Sequence, residues 1–212
     1  MSISEIRRSY SGSALDETSV SPDPLTQFQT WMDDARKADL LDPTAMTLAT
    51  ATPQGKPSAR IVLLKAVSER GFVFYTNTRS RKGVELAANP EAVLVFYWDC
   101  LSRQVRVEGA VEAVSSQQSE AYFHSRPIVS QLAAAASRQS EVIESRQALE
   151  DQMRKMTERY KNAVVPRPND WGGYRVMPRT IEFWQGRKER LHDRLRYTRL
   201  PEGSWRIERL AP

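Results

Sequence analysis

The sequence predicts an α+β fold in which antiparallel strands curl into a barrel or curved sheet and helices stand outside it. Three observations lead there. Strand-like segments between residues 45 and 114 are joined by short turns, and strands return after residue 171. Helical periodicity falls in separate stretches, one near residue 24 and others between 116 and 160. No Gly-rich phosphate loop of the Rossmann or Walker kind is present, which weighs against a doubly wound parallel sheet.

The elements follow in order. Residues 1–22 are rich in Ser and read as a flexible N-terminal arm, and residues 23–212 read as one domain. Asp23 is placed to cap a helix with Pro24 at its first position. Leu25, Phe28, Trp31 and Ala35 give that helix one apolar face. Strands are predicted at 45–51, 59–66 and 72–76, with turns at Pro53-Gln54-Gly55 and Glu69-Arg70-Gly71. Ser80 is expected to cap a short helix that Asn89-Pro90 ends. Strands at 92–98 and 103–114 come next, and the second alternates Val105 and Val107 against Gln104, Arg106 and Glu108. One helix is predicted from Ser116 to Ser125. Another starts at Ser145, with Leu149, Met153, Met156 and Tyr160 on one stripe. The run Ala133–Ala136 reads as close-packed helix, and the methionine pair as core. Pro166-Arg167-Pro168 is a linker before strands at 173–176, 180–185, 194–198 and 205–210.

Composition narrows the function classes. The 212 residues are 40% hydrophobic and 27% charged, as in a folded soluble domain. The net charge of +5 suits an anionic ligand as well as nucleic acid. Cys100 is the only cysteine, so an intrachain disulfide and a thiolate metal cluster are excluded. No apolar run approaches the roughly 18–20 residues of a membrane span, and the start lacks the apolar core of a signal peptide. A cytoplasmic, metal-free protein is expected. Basic residues are spread among strands and turns with no stripe of exposed aromatics, which argues against a nucleic-acid partner.

The informative residues are cations in unusual company. Arg60 and Lys65 bracket the apolar Ile61-Val62-Leu63-Leu64, and on a regular strand they fall on opposite faces. Ser80-Arg81-Lys82 opens a helix, where basic residues are unfavourable unless an anion sits at the helix end. Tyr122 and Arg126 share a helix face and Ser130 follows; together they supply the donors a phosphate monoester takes. In an extended segment Arg190, His192 and Arg194 line one face and Leu191 the other, with Trp184 just upstream. Each group also has a plain solvated reading. No nucleophile stands beside a base. Two phosphate-type sites with aromatic walls fit a phosphorylated cofactor next to a phosphorylated substrate.

These segments resemble the pyridoxamine (pyridoxine) 5′-phosphate oxidase family. The matching stretches are RIVLLK (60–65), FVFYTNTRSRKGVELAANP (72–90), RQVRVEG (103–109), YFHSRP (122–127), SRQSEVI (137–143), WGGYRV (171–176), IEFWQGRKERLHDRLRY (181–197) and WRIERLAP (205–212). The resemblance covers nearly all of the chain from about residue 24.

The resemblance implies an FMN-binding split β-barrel with peripheral helices. It implies a homodimer with FMN at the interface, each site drawing on both chains. The reaction would be the oxidation of pyridoxamine or pyridoxine 5′-phosphate to pyridoxal 5′-phosphate, with O2 reduced to H2O2, in vitamin B6 metabolism. The segment Arg60-Ile61-Val62-Leu63-Leu64-Lys65, with Tyr75, Thr76, Arg81, Lys82, Gln104, Gln139, Ser140, Trp184 and Arg194, resembles the FMN contacts. Lys65, Tyr122, Arg126 and Ser130 resemble the substrate phosphate cradle. Arg190 and His192, with Leu191 between them, resemble the catalytic pair over the substrate ring. Arg7-Arg8-Ser9-Tyr10 resembles a segment that closes over the site. The chain departs from the family at 131–136, where Gly and Trp are usual. Two alternatives stay open: an FMN-dependent oxidase of the phenazine-biosynthesis type, and a flavin-binding protein without catalysis.

Overall fold

The structure is a computed structural model, which describes residues 2–5, 9–10 and 12–212. Helix α1 (Pro24–Lys37) begins where the Asp23 carboxylate accepts from the backbone N–H of Leu25 at 3.4 Å and Thr26 at 2.9 Å. It buries Phe28, Trp31, Met32 and Ala35. Strands β1 (Ala45–Ala51), β2 (Pro57–Leu63), β3 (Ala66–Ser68) and β4 (Gly71–Asn77) precede α2 (Arg81–Ala88). Strands β5 (Glu91–Trp98) and β6 (Arg103–Ala113) follow, then α3 (Ser116–Ser125), α4 (Ile128–Ala136) and α5 (Arg146–Arg159). The chain ends with β7 (Trp171–Gln185), β8 (Asp193–Arg199) and β9 (Trp205–Arg209).

The nine strands form one sheet in the order β2-β1-β5-β6-β7-β4-β3, with β8 beside β7 and β9 beside β8. Every pairing is antiparallel. The sheet curls into a half-barrel that brings β2 against β4. Alternation along the strands sends Leu48, Leu94, Phe96, Val105, Val107, Ile181, Phe183 and Leu195 inward. Phe28 of α1 plugs this interior, its ring centroid 4.9 Å from that of Phe72 and 5.0 Å from that of Phe96. A second apolar cluster of Phe123, Leu132, Val165 and Trp171 lies under α3–α5. Met153 and Met156 pack half-buried against it rather than within it.

Two strand predictions change. The segment predicted at 59–66 stops at Leu63. The Leu64 N–H still donates to Thr44 O, beside β1, but the Lys65 N–H donates to Val73 O of β4 at 2.8 Å. The chain thus crosses from one sheet neighbour to another within two residues. Arg60 and Lys65 therefore do not fall on opposite faces of a regular strand; both line one cleft.

The strands predicted at 173–176 and 180–185 are one 15-residue strand. Its register against β6 shifts between Glu108 and Gly109, which pair with Thr180 and Pro178, so Arg179 is the extra residue of a bulge. Pro178 is tolerated at that break. The carbonyls of Val176 and Met177 press on Gly71 and Gly109. A Cβ at Gly109 would lie 1.9 Å from Met177 O, and one at Gly71, whose φ is +127°, 2.0 Å from Val176 O. Both contacts are backbone and cannot rotate away. Gly109→Ala is expected to lower the unfolding free energy by about 1–3 kcal/mol. Denaturant melts read this directly, and an unchanged midpoint would contradict the packing.

Residues 12–22 lie along β8 and β9. Leu15 is buried, and its N–H donates to Asp193 Oδ2 at 3.1 Å. Arg209 bridges Glu17 and Asp193 at 2.7 and 2.9 Å. The buried Tyr197 hydroxyl donates to Ser21 O at 2.7 Å; burial, helped by Asp23, pushes its pKa up to about 12.

Candidate active site

A cleft of about 620 Å³ opens between β2, β4, the start of α2 and the α3–α4 corner. Its wall gathers Arg60, Ile61, Val62, Leu63, Lys65, Tyr75, Thr76, Lys82, Tyr122, Arg126, Ser130 and Gln139, all predicted from sequence. Leu64 is not among them; its side chain is buried in the barrel core.

The first cation group stands at α2. Ser80 occupies the N-cap position, yet its side chain makes no cap bond. Its hydroxyl donates instead to Asn77 O at 2.7 Å and accepts from Lys82 Nζ at 3.2 Å. The first turn of α2 is therefore left without a side-chain acceptor, as an anion-binding helix start requires. Lys82 Nζ also donates to Gln139 Oε1 at 2.7 Å and to Thr76 Oγ1 at 3.2 Å. These partners are neutral. Burial, reinforced by the charge of Arg60, pulls the Lys82 pKa down.

Arg60 donates to Thr50 Oγ1 at 2.6 Å, Ser58 Oγ at 2.5 Å and Glu85 Oε2 at 3.3 Å. Arg81 lies outside the cleft wall and reaches Glu85 Oε1 through Nε at 2.9 Å. Burial alone would raise the Glu85 pKa. Hydrogen bonds from Ser58, Thr50, Arg81 and Arg60 outweigh it and hold the carboxyl at about 2. The folded pKa is below the ordinary 4.5, so this stabilisation is full above about pH 4.5 and is lost as pH falls towards 2. Glu85→Gln is expected to flatten the pH dependence of unfolding in that window, and an identical slope in both proteins would contradict it.

The second cation group sits at the α3–α4 corner. The Arg126 guanidinium lies 4.8 Å from the Trp171 ring centroid and 5.7 Å from that of Phe123. Its NH1 nitrogen is buried without a hydrogen-bond partner among the described residues. Gln131 fixes this corner by donating to the Arg126 carbonyl at 2.8 Å. Tyr75 stacks on Tyr122 at 4.0 Å and on Trp171 at 5.4 Å, nearly parallel to both. Burial pushes the Tyr75 and Tyr122 phenols up, so both stay neutral donors. Lys65 and Ser130 complete the group in the same cleft.

Gln104, Trp184, Arg190, Leu191, His192 and Arg194, with Tyr10, lie at the other end of β7. Trp184 lies 4.8 Å from His192, and Tyr10 packs edge-on against both, at 5.6 and 5.4 Å. Gln104 pairs with Trp184 across β6 and β7. The predicted extended face of Arg190, His192 and Arg194 is not formed. Arg190 has a φ of +63° in a tight turn, and β8 begins only at Asp193. His192 Nδ1 accepts from the Arg187 N–H at 3.1 Å. The charge of Arg194 is met by Glu182 at 2.8 Å. Arg190 and Leu191 are exposed, as are Ser9 and Ser140. Arg7 and Arg8 lie outside the described residues. Trp171 and Trp184 stand thirteen residues apart on β7, about 40 Å along a strand.

Sequence reasoning missed Trp171, Asn77 and Ser137 in the wall, and Glu85 behind it. Only Glu85 left a signal, its helical spacing of four from Arg81. Among the described residues no group of His, Cys, Asp and Glu is arranged to hold a metal. Among the described residues no helix is long and apolar enough to cross a membrane.

The family profile described as Pyridoxamine 5′-phosphate oxidase matches residues 32–185. The profile described as Pyridoxine 5′-phosphate oxidase C-terminal dimerisation region matches residues 171–212. The chain is 55% identical over 210 residues to the Pyridoxine/pyridoxamine 5′-phosphate oxidase of Trichormus variabilis, covering 99% of this chain and 98% of that one. It is 56% identical over 211 residues to Pyridoxine/pyridoxamine 5′-phosphate oxidase 1 of Ralstonia nicotianae, covering 100% and 99%. Among solved structures, PhzG from Burkholderia lata in complex with tetrahydrophenazine-1-carboxylic acid is similar, with a TM-score of 0.89 and 30% identity over 95% of this chain and all of that one. Split-barrel relatives of this kind share the curled sheet and outer helices described above.

Proposed function

Because the chain belongs to the pyridoxamine 5′-phosphate oxidase family, we propose that it oxidises pyridoxamine or pyridoxine 5′-phosphate to pyridoxal 5′-phosphate, with O2 reduced to H2O2 and, from the amine, water taken up and ammonia released. The observation that carries this reading is the pair of cation groups in one cleft: Arg60 with Lys82, and Lys65 with Arg126. Two phosphorylated molecules side by side account for both. Among the described residues Lys82 faces neutral acceptors only and Arg126 keeps a buried nitrogen unpartnered, so each has capacity left for a phosphate oxygen.

These residues fit FMN. Its phosphate would be held by Arg60, Arg81 and Lys82 at the start of α2, with Tyr75, Thr76, Gln139 and Ser140 beside it. When bound, FMN supplies the two-electron acceptor that the side chains lack. Lys65, Tyr122, Arg126 and Ser130 hold the substrate phosphate. Trp171 holds the Arg126 guanidinium over its ring, and neutral Tyr122 donates.

Gln104, Trp184, Arg190, His192 and Arg194 lie outside the wall of their own cleft. We assign them to the cleft of a second copy, in a homodimer. The match of residues 171–212 to a dimerisation region supports this. There Gln104, Trp184 and Arg194 would meet the cofactor. Arg190 and His192, with Leu191, would cover the pyridine ring and orient its C4′–H bond. Tyr10, already packed on Trp184 and His192, continues this cover, with Arg7, Arg8 and Ser9 beside it.

A turnover assay with FMN tests the reading. Aldehyde and peroxide should appear in equal amounts from either phosphorylated substrate, and tetrahydrophenazine-1-carboxylic acid should not turn over. Bound FMN without aldehyde from either substrate would defeat it.

A further inference from the structure

We propose that Glu85 is the positioning residue of the phosphate clamp, its carboxylate holding the Arg60 and Arg81 guanidinium groups together at the start of α2. The proposal rests on reading Arg60, Arg81 and Lys82 as the clamp for the FMN phosphate.

Glu85 sits one turn into α2 and is 6% exposed. One carboxylate oxygen accepts from Arg81 at 2.9 Å. The other accepts from Thr50 and Ser58 at 2.5 Å each and from Arg60 at 3.3 Å. These donors come from three elements, β1, β2 and α2. A buried carboxylate is costly without such partners, and with them it fixes the groups that surround it. Arg60, Arg81 and Lys82 repel one another when crowded. One carboxylate among them leaves two positive charges, which complements a phosphate monoester near pH 7. Arg81 is largely exposed and has no other ion pair among the described residues, so Glu85 is what keeps it near the helix start.

A plain structural staple between α2 and the sheet is the competing account. It makes a different prediction. Loss of a staple weakens every flavin alike, whereas loss of a clamp weakens only a phosphorylated one. The test is flavin fluorescence quenching on the FMN-stripped full chain, titrated with FMN and with riboflavin. Wild type, Glu85→Ala and Glu85→Gln are compared, with thermal melts alongside. Wild type should prefer FMN strongly. Glu85→Ala should lose about tenfold in FMN affinity with riboflavin affinity within twofold of wild type. Glu85→Gln, which keeps one acceptor oxygen in place, should recover part of the loss and remain folded.

An unchanged ratio of FMN to riboflavin affinity in both variants would overturn the proposal. So would a parallel loss for both flavins. A wild type that binds both flavins equally would overturn the clamp reading itself, and the positioning role with it.

Discussion

Arg126→Ala is expected to lower kcat/KM for pyridoxine 5′-phosphate by about 10²–10³-fold, one of the largest losses from a single change in this cleft. Arg126 is half-buried over Trp171 and one of its guanidinium nitrogens is buried without a partner among the described residues, so a phosphate bound there gains a hydrogen bond at little further desolvation cost. Removing one partner of such a partly desolvated, charge-assisted pair costs about 2–5 kcal/mol, which is about 30-fold to a few thousandfold, and the expected factor is the middle of that range. Most of the loss should appear in KM, because the phosphate is remote from the bond that reacts. Arg126→Lys should recover only part of it, since an ammonium keeps the charge but loses the planar fork and the stacking. FMN affinity should stay near wild type in both variants. A loss below threefold in Arg126→Ala would remove Arg126 from the substrate site. A loss shared equally by FMN would mean that the Trp171 cluster had collapsed instead.

The parts of the fold that the sequence made legible are those decided within a few residues. Asp23-Pro24 starts α1 by capping, which is local chemistry, and the alternation of Val105 and Val107 with Gln104 and Arg106 is kept in β6. The misread parts are decided by distant partners. The strand ends at Leu63 because the Lys65 N–H finds Val73 O, a contact that no window around residue 65 contains. The sequence divides 173–176 from 180–185, but β7 runs through Pro178 between them because the register against β6 slips by one residue there. The Arg190 turn has a positive φ in a residue type that gives no warning of it. The site divides in the same way. Local sequence marked the cations at 60, 65, 81, 82 and 126, but not what brings them together. The resemblance supplied residue roles, and the curl of the sheet supplies the cleft that gathers Arg60, Lys65, Lys82 and Arg126, with Arg81 just outside it. Glu85 was half visible: the spacing of four gives Arg81, while Thr50, Ser58 and Arg60 reach it only through tertiary packing.

Two inactive variants should restore activity when combined, and this decides whether each site is shared between chains. Arg126→Ala damages the cleft. Arg190→Ala with His192→Ala damages the cluster at the far end of β7. Assayed with substrate well below KM, each alone should be close to inactive as a homodimer. Unfolded and refolded together at equal amounts, they should give half hybrid dimers if pairing is random. A two-fold dimer has two equivalent sites, each combining one chain's cleft with the other chain's cluster. In the hybrid, one site collects both defects and the other collects none. Half of the dimers then carry one intact site of two, so about a quarter of wild-type activity should return. If cleft and cluster of the same chain form the site, every site in the hybrid carries one defect and activity stays at background. The geometry favours the shared arrangement, because Trp171 in the cleft wall and Trp184 in the cluster lie at opposite ends of one long strand. A rigid β7 cannot fold back to bring its own two ends to one ligand, whereas a second copy facing the cleft would supply the missing half.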